Sequence, residues 1–384
     1  MTFEAIVEEC RARLARPPGE VAATWKAEHP GGRAIGCFPV YTPLELIHAA
    51  GALPLAVAGG GTTVELTHAD SRFQSFVCSI AKTTLELGFQ GRLAGLDGVL
   101  FHSICDVARN LSSVMRRNFP DLFVEYLHLP QNTASEAAVD YLEAEYRRLL
   151  AGLERLVGHP VTEDDLSRSI LAHNWRRGLL RRLYAFRAQA PHLLSLAECA
   201  LLTRAAGAMP VESYGPLLEA ALVALGAREG RLKDRVRVVV EGAFCEQPPL
   251  GLLEVIEEAG CYVLDDDLMT GWRWFTEDVP VDGAPLRALA EAYRDRSEYS
   301  SIRHDWRKPK AQGLLEKVRR AGADAVLFLP AKFCEPALFD YVLYREALER
   351  EGIPHLVVEF EEKQWTFERT RNEIETFVES LLFD

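Results

Sequence analysis

Three cysteines share a setting in which sulfur can do chemistry. Cys78 lies in Phe76-Val77-Cys78-Ser79-Ile80, early in or just before a predicted helix. Cys105, in His102-Ser103-Ile104-Cys105-Asp106, and Cys334, in Pro330-Ala331-Lys332-Phe333-Cys334-Glu335-Pro336, each follow a predicted strand. Loops at the carboxyl ends of parallel strands are where open α/β sheets build their sites. A helix N-terminus adds a positive potential that favours thiolate over thiol. Three thiolates contributed by two lobes could therefore grip a metal cluster in the cleft between them. Cys245, after a strand in Glu241-Gly242-Ala243-Phe244-Cys245-Glu246-Gln247-Pro248-Pro249, is a fourth candidate. The competing reading of any one of these is a small buried residue. Cys37, near a strand end, reads as core packing, and Cys10, Cys199 and Cys261 read as structural.

The elements that must position these residues alternate. Helical spacing of Phe3, Ile6, Val7 and Leu14 predicts a helix over 3–16, ended by Pro17-Pro18-Gly19. Strands are expected at 34–40, 53–57, 98–102 and 123–127. Helices are expected from Pro43 to Gly51, over 73–87 and over 106–117. Residues 134–227 carry long helical patterns, one opened by Thr162 with Glu163, Asp164 and Asp165 in its first turn. Alternation then resumes: strands at 235–241, 261–264, 325–329 and 355–360, helices at 250–259, 310–321, 336–351 and 366–382. Such alternation predicts an α/β fold of two open parallel-sheet lobes, Rossmann- or flavodoxin-like, joined by a helical segment. The expected division is an N-terminal helical arm over 1–30, a first lobe over 31–133, a connecting segment over 134–230 and a second lobe over 231–384. Residues 268–310 show no clear element.

The chain has 384 residues, 48% hydrophobic and 26% charged, with a net charge of −13. This is a globular mixture, and its acidity argues against nucleic acid or an anionic membrane surface as the main ligand. No apolar run is long enough to span a bilayer, and Glu4, Glu8 and Glu9 interrupt any leader-like core. A cytoplasmic protein is expected, whose eight cysteines stay reduced. Gly-Lys dipeptides, G-x-G-x-x-G, H-E-x-x-H, G-x-S-x-G and C-x-x-C are all missing. Walker-type phosphate binding, the common dinucleotide fingerprint and the zincin, serine-hydrolase and thioredoxin chemistries are thus not encoded here. Gly59-Gly60-Gly61 reads as a loop.

The words around the cysteines carry a resemblance. Residues Gly36-Cys37-Phe38-Pro39-Val40-Tyr41-Thr42-Pro43 through Gly51-Ala52-Leu53-Pro54 resemble the opening motif of the 2-hydroxyacyl-CoA dehydratase / benzoyl-CoA reductase family. Asp97–Phe101, Ile104-Cys105-Asp106 and Arg109–Ser112 resemble its second cysteine motif, and Phe333-Cys334-Glu335-Pro336 its third. Residues 244–250 and 261–267 are most similar to the smaller cluster-binding subunit of the ATP-dependent reductases within it. The likeness runs from about residue 33 to 360.

That resemblance implies two α/β lobes with a [4Fe–4S] cluster between them, held through three irons by Cys78, Cys105 and Cys334, the fourth iron open or closed by Cys245. It implies an acyl-CoA thioester substrate and one-electron chemistry through a ketyl-type radical anion. The reductases reduce an aromatic ring, and the dehydratases expel a leaving group. It also implies partners: a homologous larger cluster-binding subunit, ATP-hydrolysing iron–sulfur activator subunits, and ferredoxin as upstream donor. Protein clusters reach down to about −700 mV, which is why ATP must drive the electron into so stable a ring. The chain is expected to be a subunit of a benzoyl-CoA reductase type enzyme; a dehydratase subunit is the alternative, and a non-catalytic electron carrier is a third reading. Glu45 and Glu246 are candidate proton donors, Glu45 alternatively a helix-start carboxylate. His48 reads as packed or solvent-facing. Asp265-Asp266-Asp267 reads as a capped, solvated turn rather than a Mg²⁺ site. Trp272, Trp274 and Phe275 could line an aromatic pocket, with core or interface packing the competing reading.

Overall fold

The computed structural model describes residues 1–268, 274–297, 300–361 and 364–383. It is an α/β protein with two four-stranded parallel sheets and, among the described residues, fourteen α-helices. The first sheet holds β1 (Ala34–Cys37), β2 (Leu53–Ala56), β3 (Gly98–His102) and β4 (Phe123–Leu127) in the order β2-β1-β3-β4. The second repeats that order as β6-β5-β7-β8, with β5 (Val236–Glu241), β6 (Cys261–Asp266), β7 (Ala325–Phe328) and β8 (His355–Val357). Strands β1, β3 and β7 are buried at every residue, as apolar runs covered on both faces must be. In each sheet the chain steps to one side of its first strand and then to the other. The crevices beyond the carboxyl ends of β1/β3 and β5/β7 are therefore topological switch points.

At the N-terminus, α1 (Phe3–Leu14) is followed at once by α2 (Pro18–Glu28). Pro17 and Pro18 thus end one helix and open another, because proline suits the N-cap and first turn, where its missing N–H is not needed. The first sheet is covered by α3 (Leu44–Ala49), α4 (Ser79–Phe89) and α5 (Asp106–Asn118). Helix α4 begins well after the expected residue 73. Four helices follow: α6 (Ala138–Val157), α7 (Glu163–Gln189), α8 (Leu196–Ala205) and α9 (Val211–Leu225). The second sheet carries α10 (Leu250–Glu258), and after it come α11 (Pro285–Asp295), which packs against α6 and α7, and then α12 (Lys310–Ala321), α13 (Glu335–Glu351) and α14 (Glu368–Phe383). Helix α11 falls within 268–310, where no element is expected from the residue pattern. Proline at its first position opens it, and Ala288, Leu289, Ala292 and Tyr293 form its buried face.

Helix α7 ties the two sheets together. A reciprocal capping box between Thr162 and Asp165 fixes its start. Arg177 pairs with Glu45 of α3 at 2.5 Å, and both side chains are 1% exposed. Further along, Arg187 pairs with Asp266, at the end of β6, also at 2.5 Å and fully buried. Burial opposes the Arg187 charge, and the Asp266 carboxylate more than offsets it, so the guanidinium stays above its ordinary pKa. Aromatic packing adds to the seam. Tyr41, after β1, packs on Trp274 and Tyr293, and Trp274 stacks on Phe275 with ring centroids 4.1 Å apart.

Removing one member of a buried pair strands the other charge, which costs about 3–5 kcal/mol. Asp266→Ala should lower the urea midpoint by an amount of that order, and Asp266→Leu with Arg187→Met should recover most of it. Equal losses in both would show that the pair does not lock the seam. A second expectation concerns acid. His102 ends β3, is buried, bonds Phe38 O at 3.0 Å, and is pulled down to about 4 by burial. The unfolded chain therefore takes up protons first, and stability falls as pH drops from about 6.5 toward about 4, by up to about 3 kcal/mol from this group. His102→Gln, which cannot titrate, should flatten the melting-temperature slope in that window; an unchanged slope would contradict the assignment.

Candidate metal centre

The two switch points face one another across a cavity of about 220 Å³. Cys78, Cys105, Cys245, Cys334 and Glu246 all line it, with Phe38, Ile104, Phe244 and Phe333 as apolar wall. Cys78 and Cys105 belong to the first sheet's loops, Cys245 and Cys334 to the second's. Cys78, Cys105 and Cys334 each occupy the N-cap position of a helix, of α4, α5 and α13 respectively. In all three an alanine stands three residues on: Ala81, Ala108 and Ala337. The Ala108 N–H donates to Cys105 Sγ at 3.4 Å. The N–H groups of Ala81 and Ala337 likewise pull the pKa of Cys78 and Cys334 downward.

Specific backbone features aim these loops. Phe333 takes a left-handed conformation, φ 65°, immediately before Cys334, whose N–H bonds Ala331 O at 3.0 Å. Such a conformation costs a non-glycine residue roughly 1–2 kcal/mol, so the surrounding contacts must hold it. The loop after β5 turns at Gly242, φ 106°, where a Cβ would meet the Phe328 ring at 2.9 Å. Asp267 grips this loop by accepting from Gly242 N at 2.8 Å and Ala243 N at 3.1 Å. Burial and the neighbouring Glu241 push the Asp267 carboxyl well above the usual carboxylate range, while Lys317, paired with Glu241 at 2.8 Å, pulls against them. Glu246, 3% exposed, crosses between the sheets: its Oε2 accepts the Ile80 N–H, in the first turn of α4, at 3.0 Å.

Electrostatically the four thiols form one coupled group. Burial pushes all of them up, Cys334 to about 12, and neighbouring cysteines raise Cys78, Cys334 and Cys245 further. Helix-start N–H groups oppose this at Cys78, Cys105 and Cys334. At Cys245 the causes that act after burial are the other three cysteines and Glu246. The helix-start N–H groups thus offset part of the cost of burial at three sulfurs, while the causes acting at the fourth all raise it. Among the described residues no group of three or more His, Cys, Asp or Glu converges tightly enough for a single metal ion. One zinc ion would draw its sulfur donors to about 2.3 Å. Soft donors spread around a cavity suit a polynuclear iron–sulfur group, whose corners take the thiolates.

Other candidates lie elsewhere. Glu45 does not line this cavity; it is the buried partner of Arg177 in α7. His48 is packed, between Ser169 Oγ at 2.9 Å and Glu212 at 2.7 Å. The three aspartates form no solvated turn: Asp265 pairs with Arg320, Asp266 with Arg187, and Asp267 with the Gly242 loop. Trp274 and Phe275 are buried in the aromatic seam, and Trp272 lies outside the described residues. Cys37 is buried at the end of β1 and, like Cys10, Cys199 and Cys261, is not among the cavity-lining residues. Sequence reasoning missed the common Cys-x-x-Ala helix start, although it is written in the chain three times.

Comparison with known proteins shows the family. The profile of the family described as 2-hydroxyglutaryl-CoA dehydratase, D-component, matches residues 39–381. A benzoyl-CoA reductase subunit from Thauera aromatica is 36% identical over 382 residues, covering 99% of each chain. Lactoyl-CoA dehydratase subunit beta of Anaerotignum propionicum is 31% identical, over 98% of this chain and 99% of its own. The (R)-phenyllactyl-CoA dehydratase beta subunit of Clostridium sporogenes is 28% identical, over 92% and 93%. With the match running from the loop after β1 into α14, the chain belongs to the 2-hydroxyglutaryl-CoA dehydratase D-component family, among the subunits of benzoyl-CoA reductases and 2-hydroxyacyl-CoA dehydratases.

Proposed function

We propose that this chain is the smaller iron–sulfur subunit of an ATP-dependent aromatic acyl-CoA reductase of the benzoyl-CoA type, acting in anaerobic aromatic degradation. The observation that carries the reading is the meeting of three helix-capping cysteines from two sheets in one apolar cavity. The 36% identity to a benzoyl-CoA reductase subunit over the whole chain supports the choice of reaction. Cys78, Cys105 and Cys334 are the proposed ligands of a [4Fe–4S] cluster, with Cys245 as an alternate. When bound, that group supplies low-potential electrons to a thioester-activated substrate.

The chain's own residues prepare the site. Helix N-termini at the three cysteines stabilise thiolate. Phe38, Ile104 and Phe244 exclude water, which strengthens every charge interaction inside. Glu246 holds a carboxylate at the cavity wall, where it can keep or pass a proton; its bond to Ile80 N also spans the two sheets. The arrangement needs partners. Beside Cys334, helix α13 exposes Leu338, Phe339, Val342 and Leu343 on one face, with Phe333 and Phe76 at the cavity rim. An apolar face of this kind suits burial by another subunit. The proposed occupant is the homologous larger cluster-binding subunit, with ATP-hydrolysing iron–sulfur activator subunits and ferredoxin upstream. Among the described residues no helix is long and apolar enough to cross a membrane. A reducing cytoplasm, where thiols stay available, is the proposed location. The second reading, a 2-hydroxyacyl-CoA dehydratase subunit, is favoured by the dehydratase subunits among the relatives.

Product analysis with the complete complex, ATP and a strong reductant separates the two. Reduction of benzoyl-CoA to a dienoyl product, with poor turnover of 2-hydroxyacyl-CoA esters, is expected; efficient loss of water without ring reduction would install the second reading. In anaerobically purified protein, about four irons per chain are expected. Cys105→Ser and Cys334→Ser should lose most of that iron, because serine is a poor ligand for soft sites. Cys10→Ser should keep it, and retention in all three variants would refute the ligand set. Phe339→Asp should weaken association with the larger subunit by about 2 kcal/mol, as loss of an apolar anchor does. Sedimentation velocity would read the loss, and unchanged association would place the interface elsewhere.

A further inference from the structure

Twenty-two residues separate the end of β2 at Ala56 from the start of α4 at Ser79. Connections longer than about 12–15 residues without structure of their own are uncommon and usually functional. This one holds two single 3₁₀ turns, Gly61–Thr63 and Ala69–Ser71, and no other regular element. Gly59 and Gly61, at φ 84° and 54°, turn its base, which gives the triple glycine a structural use. Its far end, Gln74, Phe76 and Val77, lines the cysteine cavity beside Cys78. Most of residues 67–76 face solvent, and Phe76 is 66% exposed.

A polar stripe on α4 fastens this segment. Lys82 and Glu86, with Gln90 just past the helix end, stand four residues apart in one line. Glu86 is fully buried, and its Oε2 accepts the N–H groups of Thr67, His68 and Ala69 at 3.1, 2.8 and 2.8 Å. Its Oε1 meets His68 Nδ1 at 2.9 Å. Burial opposes the Glu86 charge and these bonds outweigh it, so the carboxyl stays below its ordinary pKa. Lys82, also buried, donates to Asp70 Oδ1 at 3.0 Å and to Ser75 O at 3.4 Å. Gln90 Nε2 donates to Glu65 O at 3.2 Å. Two buried charges of one helix are thus spent on holding one exposed loop, through bonds to charged groups, which are the strong ones. A segment tied by such bonds to a single helix, with water on its outer side, opens at lower cost than the strands beneath it. A bound metal group needs an entry path, and this segment is the wall of the cavity that can give one.

We propose that residues 67–77 are a cover on the cysteine cavity, strapped to α4 by Glu86 and Lys82, which turns about residues 59–61 to admit the iron–sulfur group and shuts over it. Glu86 and Lys82 are positioning residues: neither lines the cavity, and both act through the segment they hold. The occupant rests on the iron–sulfur reading; the cover belongs to the chain with or without it.

The test uses the full chain, first iron-free and kept anaerobic, with the alkylation of each cysteine by iodoacetamide followed by mass spectrometry. Glu86→Gln, which loses the charge and keeps the shape, should alkylate Cys78 and Cys245 about tenfold faster than the unaltered chain, the loss of a charge-assisted contact. Asp70→Ala, at an exposed position, removes the partner of Lys82 without touching the core. It should speed the same two cysteines, and it decides the matter if Glu86→Gln does not fold. Cys10 and Cys199, buried outside the cavity, should react at unchanged rates. In the iron-loaded form, both variants should start with full iron and yield it to a chelator faster by a similar factor. Unchanged alkylation of Cys78 and Cys245 in the folded variants would overturn the cover. So would an equal acceleration at Cys10 and Cys199, which marks general loosening. A chain that takes up no iron but alkylates as expected keeps the cover and removes the iron–sulfur reading.

Discussion

Two arginines on one 27-residue helix set the geometry on which everything else in this molecule depends. Arg177 is buried against a carboxylate beside the first sheet, and Arg187 against one at the end of a strand in the second. At 1.5 Å rise per residue they stand roughly 15 Å apart on a rigid rod. Each pair contributes modest net stability, because desolvation consumes most of the Coulomb gain. What the pairs supply is position: a buried charge has one acceptable partner, so neither sheet can slide along α7. With the sheets fixed, their switch points are held face to face.

The cysteines exploit that fixed gap. A loop leaving a buried strand carries each of Cys105, Cys245 and Cys334 to the crevice, and three of the four thiols end where a helix begins. The helix start does two things at once. It points backbone N–H groups at sulfur, and it makes the sulfur's position as rigid as the helix behind it. Alanine three residues on keeps that N–H accessible without filling the cavity. Cys245 sits in a loop with no such support, which separates the three-sulfur set from the fourth thiol on electrostatic grounds. The Glu246 bond to the start of α4 closes the cavity wall between the sheets.

Much of this was legible in the sequence, because parallel sheets write their strands as short apolar runs between helical patterns. Strands β1 to β8 fall where those runs predict them, and three of the cysteines are readable as post-strand positions. Local periodicity does not carry long-range pairing, and the differences arise there. Glu45 looks like a free carboxylate at a helix start until Arg177, far along the chain, is folded against it. The run Asp265–Asp267 looks like one polar turn, but strand geometry sends successive side chains to opposite faces. Its members therefore meet an exposed arginine, a buried arginine and a pair of backbone N–H groups. Helix α11 is hidden by its polar and aromatic surroundings, and its signal is a proline at the first position followed by an amphipathic stretch.

The central claim is that an iron–sulfur group sits where the two sheets' switch points meet, gripped from both sides. Anomalous diffraction at the iron edge, from crystals grown without oxygen, tests it in one measurement. The account predicts a single iron peak, or a resolved cluster, within bonding reach of Cys78, Cys105 and Cys334 and against Glu246. Iron bound at any other place in the fold, or anomalous density contacting cysteines of one sheet alone, would contradict it.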